Sequence, residues 1–249
     1  MIQADDQTPD AAAPGPVLAV FAHPDDAEIS SGGTLAKWAS AGREVHLLVL
    51  TNGDRGSGDP TLDRAELARI RARETAAAAA VLGLAGARVL STPDGELENT
   101  PEVREELVRA IRTIRPTTLL SCDPTAWFFR SLQGTTTYYN HSDHRTAGVI
   151  ALDAVFPGAG NPHFFSEHLA QGLQSWDVKD IWLGWTNEPN HFEDVTGFFD
   201  AKVRALGEHQ SQIDEGIRFW DEWMREEAVA AGARIGAEFA EEFRVLDLS

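Results

Sequence analysis

Residues 17–38 read VLAVFAHPDDAEISSGGTLAKW, and this stretch decides the fold. Val17 to Phe21 are strand formers, and they run directly into His23, Pro24, Asp25 and Asp26. A glycine pair, Gly32 and Gly33, and an apolar helical pattern follow. An imidazole and two adjacent carboxylates are costly to bury without partners. A buried strand that ends on them therefore ends where the chain has a use for them. Strand, polar turn and helix in this order form the first unit of a parallel α/β sheet.

The same alternation extends outward. Strands are expected at Val17–Ala22, Val45–Thr51, Arg88–Ser91, Thr117–Ser121 and Asp180–Trp185, with a weaker one at Asp194–Thr196. Helices are expected at Gly33–Ala41, Asp63–Leu82, Pro101–Arg112, His144–Val155, Phe198–Gln210 and Ile213–Val229. Asp63 and Thr100 suit helix N-caps, Pro101 suits a first turn, and Gly83 suits a helix stop. The pattern predicts an α/β fold: a Rossmann-like, mostly parallel sheet flanked by helices, with a helical C-terminal part. Residues 1–15 read as a disordered lead-in, and 16–249 as one domain. In an open parallel sheet, ligands bind beyond the carboxyl ends of the strands. The segments TNGDRGSGD, STPDGEL and SCDPTAWFF follow the second, third and fourth strands, so their loops converge on the rim that carries His23.

Composition narrows the partners. A net charge of −18 argues against nucleic acid and acidic membrane surfaces, which require clustered Lys and Arg. No apolar run is long enough for a bilayer, and the first residues lack the basic and apolar parts of a signal peptide. The single cysteine, Cys122, excludes an internal disulfide framework and a multi-cysteine zinc site, and it fits a cytoplasmic protein. TNGDRGSGD lacks the lysine and the hydroxyl residue of a phosphate-binding loop.

A second informative stretch is YYNHSDHRTAG, residues 138–148. His141 and His144 lie three apart with Asp143 between them, a spacing that places both rings on similar sides of a helical turn. A histidine from this stretch could join His23 and Asp26 around one metal ion. Two imidazoles and a carboxylate form a catalytic zinc set with one position open. Asp25 would then be free to accept a proton. Taken singly, His-Pro-Asp-Asp can be an ordinary turn and His-x-x-His a solvated helix face. Occurring together at neighbouring strand ends, they favour the metal site.

AHPDDAEISSGGTLAKW with HSDH resembles the LmbE-like, or PIG-L, superfamily of zinc-dependent de-N-acetylases. The likeness continues through TNGDRG, RARETAAAAAVLG and PDGEL, and weakly through KVRALGEHQSQ and GAEFAEEF. This resemblance implies His23, Asp26 and His144 as metal ligands and Asp25 as general base. It implies His141 as the group that polarises the amide carbonyl or protonates the amine, and Tyr139 as a further oxyanion contact. Asp143 would orient a neighbouring imidazole. Two departures stand out: Ala27 precedes Glu28 where many members carry Glu directly, and Ser142 replaces a proline. Arg71, Glu74 and Asp94 match positions that line or brace the sugar site. Arg55 and Trp127, with Phe128, are further candidate substrate contacts in rim loops, and the segment AWFFRSLQGTTTYY is the candidate for substrate selection. His46, His163, His168, His191 and His209 are expected to be structural or exposed.

The implied activity is removal of an N-acetyl or other N-acyl group from an amino sugar, a GlcNAc-containing metabolite or glycoside, using Zn2+ or another divalent ion such as Fe2+. An amidase acting on a larger thiol or sugar conjugate is the alternative within this chemistry, and a non-catalytic carbohydrate-binding domain the alternative outside it. A two-carboxylate glycosidase ranks last, because adjacent Asp25 and Asp26 do not flank a glycosidic bond. The expected partner is a small N-acyl amino sugar; the subunit count is left open, a homo-oligomer included.

Overall fold

The computed structural model describes residues 15–130, 137–213 and 216–249. The expected N-terminal lead-in, but for its last residue, lies outside them. A seven-stranded sheet runs in the order β3-β2-β1-β4-β7-β9-β8. Its strands are β1 Val17–Phe21, β2 Val45–Thr51, β3 Gly86–Thr92, β4 Thr118–Cys122, β7 Asp180–Gly184, β8 His191–Asp194 and β9 Ala240–Asp247. The first five in spatial order are parallel, and β9 pairs antiparallel with both β7 and β8. Strands β5 Phe128–Arg130 and β6 Thr137–Tyr139 form a separate antiparallel hairpin after β4.

Strand β1 is buried on both faces, and its alternate residues feed two cores. Leu18 and Val20 pack with Leu107 and Ile111 of helix α3 (Pro101–Ile114) and Ile150 of helix α4 (Ser142–Asp153). Val17, Ala19 and Phe21 pack with Leu35 and Trp38 of helix α1 (Asp26–Ser40) and Leu82 of helix α2 (Arg64–Leu82). This two-sided burial is why the strand reads as an unbroken apolar run. A third core joins Phe199 of helix α6 (Phe199–Leu206) to Met224 and Ala228 of helix α7 (Ile217–Gly232). Helix α5, Glu167–Ala170, is a single turn between α4 and α6 in the chain.

The predicted capping is present: Asp63 accepts from the Glu66 N–H at 2.8 Å, Thr100 caps α3, and Gly83 closes α2 at φ 75°. Three expectations are corrected. Helix α1 begins at Asp26 and not at Gly33, because Asp25 takes a left-handed φ of 99° and turns the chain at once into the helix. The glycine pair lies inside that helix. A Cβ on Gly33 would stand 2.8 Å from Val195, and one on Gly32 3.0 Å from Lys202, so the pair lets the segment from β8 to α6 approach α1 closely. The C-terminal part is not wholly helical, since β9 threads between β7 and β8 and completes the sheet. Finally, the weak strand lies at His191–Asp194, three residues before its expected place.

Strand β1 lies between β2 and β4, where the strand order reverses, and this is where a ligand crevice opens in such sheets. Helix α4 is seated tightly there: a Cβ on Gly148 would stand 2.3 Å from the Cys122 carbonyl oxygen.

Candidate metal centre

His23, Asp26 and His144 come together from the end of β1 and the first turns of α1 and α4. His23 Nδ1 lies 3.1 Å from His144 Nε2 and 3.4 Å from Asp26 Oδ2, and His144 Nε2 lies 3.2 Å from Asp26 Oδ1. The far sides of both rings are engaged. His144 Nδ1 stands 2.9 Å from Asn140 Oδ1, and the same amide donates through Nδ2 to the Ala126 carbonyl at 2.7 Å. This fixes Oδ1 as the acceptor, Nδ1 as the protonated nitrogen, and Nε2 as a lone pair. His23 Nε2 faces Asp94 Oδ1 and Asp143 Oδ2 at 3.3 and 3.4 Å, which favours a proton there and a lone pair on Nδ1.

Two ring lone pairs and a carboxylate thus converge. A tetrahedral ion with bonds near 2.0–2.1 Å needs its ligand atoms about 3.3 Å apart, and the observed separations bracket that spacing. The residues fit a divalent cation. Burial disfavours the charged His23 ring, but Asp26, Asp143 and Asp94 outweigh it and push its pKa up to about 12. Burial acts to raise the Asp26 pKa, yet His144 and His23 hold that carboxyl far below its usual range.

Asp25 sits beside this centre without joining it. Burial pushes its pKa up to about 6, against the opposing charge of Arg71. Arg71 is buried; it donates to Gly53 O at 3.0 Å and to Pro24 O, and its Nη2 lies 3.2 Å from Asp25 Oδ2. Behind Asp25, buried Glu28 faces buried His209, with Oε2 3.3 Å from Nε2. Burial lowers the His209 pKa, but Glu28 outweighs it and the net direction is upward.

His141 is the N-cap of α4, and its Nδ1 accepts the Asp143 N–H at 3.1 Å. Burial and the neighbouring His23 and His144 lower its pKa. A neutral ring with Nδ1 as acceptor carries its proton on Nε2, ready to donate. Asp143 accepts the Gly95 N–H at 2.7 Å, and its carboxylate lies 3.4 Å from His23 Nε2 against 4.0 Å from His141 Nδ1.

The residues expected to touch substrate divide. Asp94 reaches His23 and lies 4.0 Å from Arg71. Arg55 donates to Asp94 O and pairs with Glu96, bracing the loop after β3. Glu74 binds the N–H and hydroxyl of Ser211 at 2.8 and 2.6 Å. Trp127 and Tyr139 are exposed at the hairpin, with the Arg145 guanidinium 4.0 and 5.3 Å from their ring centroids.

Residues 18–155 match the PIG-L family, GlcNAc-PI de-N-acetylase. The chain belongs to this family. A diacetylchitobiose deacetylase from Thermococcus kodakarensis is 35% identical over 229 residues, covering 92% of this chain and 82% of the relative. A 1D-myo-inositol 2-acetamido-2-deoxy-alpha-D-glucopyranoside deacetylase from Rhodococcus erythropolis is 28% identical over 248 residues, covering 79% of this chain and 81% of the relative. Among solved structures, N,N'-diacetylchitobiose deacetylase from Pyrococcus horikoshii superposes with TM-score 0.83 at 31% identity, covering 94% of this chain and 84% of that one.

Two residues of this PIG-L centre escape a reading of the sequence. Asn140 lies four before His144, a spacing that signals contact across a helix start. Trp185, at the end of β7, lays its ring 4.7 Å from that of His144 and left no comparable signal.

Proposed function

We propose that this PIG-L protein is a metal-dependent hydrolase that removes the N-acetyl group of an amino sugar, with Zn2+ as the native ion. The observation that carries this is the convergence of His23 Nδ1, Asp26 and His144 Nε2 at 3.1–3.4 Å, with Asp25 beside them and outside the ligand set. A cation held there supplies Lewis acidity toward the carbonyl and toward water. Nitrogen and oxygen donors suit zinc, and Fe2+ is the other ion this donor set admits.

The chain's own groups supply the rest. Asp25, with its pKa near 6, accepts a proton from water near neutral pH, and Arg71 fixes the carboxylate in place. His141 Nε2–H is aimed by its cap bond and donates to the carbonyl oxygen as negative charge develops. The leaving amine takes its proton from Asp25 or His141. Tyr139 stands at the rim, where its hydroxyl can assist, and Trp127 and Arg55 border the entrance. The curated relatives act on acetamido sugars by name, which supports a GlcNAc-type substrate. The free thiol of Cys122 suits a reducing compartment, and we place the reaction in the cytoplasm. No helix of the described residues is long and apolar enough to cross a membrane.

Acetate release from N-acetylglucosamine and from N,N'-diacetylchitobiose, measured before and after chelation and after zinc return, tests the reading. Release that vanishes with chelation and recovers with zinc is expected. A metal-replete protein that releases acetate from neither would refute it.

A further inference from the structure

The β5–β6 hairpin and the residue before it carry aromatic surface well beyond the Tyr139 hydroxyl that the reaction above draws on. Trp127, Phe128, Tyr138 and Tyr139 are each more than half exposed. Phe128 and Tyr139 are cross-strand partners, so their rings share one face of the ribbon, with centroids 5.3 Å apart. Arg145 holds its guanidinium over both Trp127 and Tyr139 and donates to the Asn140 carbonyl. Three rings and a cation thus form one fixed surface, and exposing it to water without a partner is unfavourable.

This surface is tied to the candidate metal centre through Asn140. Asn140 donates its N–H to Trp127 O at 2.9 Å and its Nδ2–H to Ala126 O at 2.7 Å. The same residue accepts from His144 Nδ1. Both arms of the hairpin therefore meet at the amide that orients a metal ligand. On the other side, Asn187 Nδ2 donates to Phe128 O at 2.9 Å and ties the ribbon to the loop after β7.

We propose that Trp127, Phe128 and Tyr139, with Arg145, form a binding subsite for a second pyranose ring joined to the N-acetylated sugar. This rests on the deacetylase reading and adds the place where the rest of the substrate sits. A pyranose presents an apolar C–H face that stacks on aromatic rings, and hydroxyls that accept from a guanidinium. Rings interleaved with one cation match both. A plain acyl chain or lipid would use the rings and waste the cation.

The test compares kcat/KM on N,N'-diacetylchitobiose, N-acetylglucosamine and an N-acetylglucosaminide with an aromatic aglycone, using zinc-loaded protein. The wild-type chain is expected to prefer the disaccharide over the monosaccharide by about tenfold or more, the worth of one good aromatic contact. Trp127→Ala and Phe128→Ala should lower that ratio toward one, mainly through KM, and Trp127→Phe should keep most of it. Circular dichroism checks that each variant folds. No wild-type preference, or a ratio unchanged in both alanine variants, overturns the proposal. So does an aglycone substrate that outperforms the disaccharide and loses that advantage in Trp127→Ala. Variants that alter the subunit count and leave the ratio intact would make this face a contact between copies, which also overturns it. Acetate release from none of the three substrates would instead bring down the deacetylase reading itself.

Discussion

The loop after β1 and the hairpin after β4 border the same candidate metal centre and are built in opposite ways. In the first, the charged groups hold one another: Asp26 faces two imidazoles, Asp25 faces Arg71, and Arg71 donates to two carbonyls. Asp25 is held in a left-handed conformation, a strain that persists only where the surroundings over-determine it. In the hairpin the backbone is anchored at its base, and the rings of Trp127, Phe128, Tyr138 and Tyr139 are offered to solvent. The contrast separates two tasks. Chemistry needs groups fixed to a fraction of an ångström, and the parallel sheet supplies that rigidity at its switch point. Substrate choice needs exposed surface, and an appended ribbon provides it without disturbing the core.

The contrast breaks most visibly on the rigid side. Asp25→Asn should lower kcat by about 10²–10⁴, the range for losing a general base, while zinc content measured by mass spectrometry stays at the wild-type level. His144→Ala should lose the zinc as well as the activity. If Asp25→Asn also emptied the centre, Asp25 would belong to the ligand set and the division of labour between the adjacent carboxylates would fail.

A smaller effect should come from Asn140, where the two regions join. Asn140→Leu removes the acceptor for His144 Nδ1 and both side-chain and loop order at the hairpin base. Zinc affinity, read by competition with a chelator, should fall about 10–100-fold, the usual worth of a partner that orients a metal-bound histidine. Asn140→Asp keeps the acceptor and should restore most of that affinity. Equal losses in both variants would mean that the residue acts through packing alone.

The sequence carried the rigid side well. An apolar run buried on both faces, a His-Pro-Asp-Asp turn and a His-x-Asp-His helix start are local patterns, and each lies where its strand or helix begins or ends. The helix caps were equally readable, because a cap is a contact between neighbours in the chain. What was hidden is non-local. Strand β9 reads as helical or mixed because its partners β7 and β8 lie over forty residues away in sequence. Trp185 meets His144 only through the folded sheet, and Arg71 turns inward only because Gly53 leaves room: a Cβ there would stand 2.5 Å from Nη1. The hairpin is the extreme case. Its two short strands are defined by pairing with each other and by one buried amide, and alternation over three residues carries no period to read.

The smallest predicted effect sharpens the comparison at a residue that belongs to neither region. Arg55 and Arg71 both approach Asp94, and both were candidates to touch substrate. Arg71 is buried against Asp25 and has almost no exposed surface to offer a sugar. Arg55 keeps more than a third of its side chain exposed, and its guanidinium is spent on Asp94 O and Glu96. A surface ion pair of this kind contributes little, because water screens it and two long side chains must be ordered to make it. Arg55→Gln should therefore change kcat/KM by no more than about threefold, with kcat and KM each close to wild type. A tenfold rise in KM at unchanged kcat would instead mean that the guanidinium leaves Glu96 to hold the substrate. The rim would then have a second selecting element, on the loop after β2.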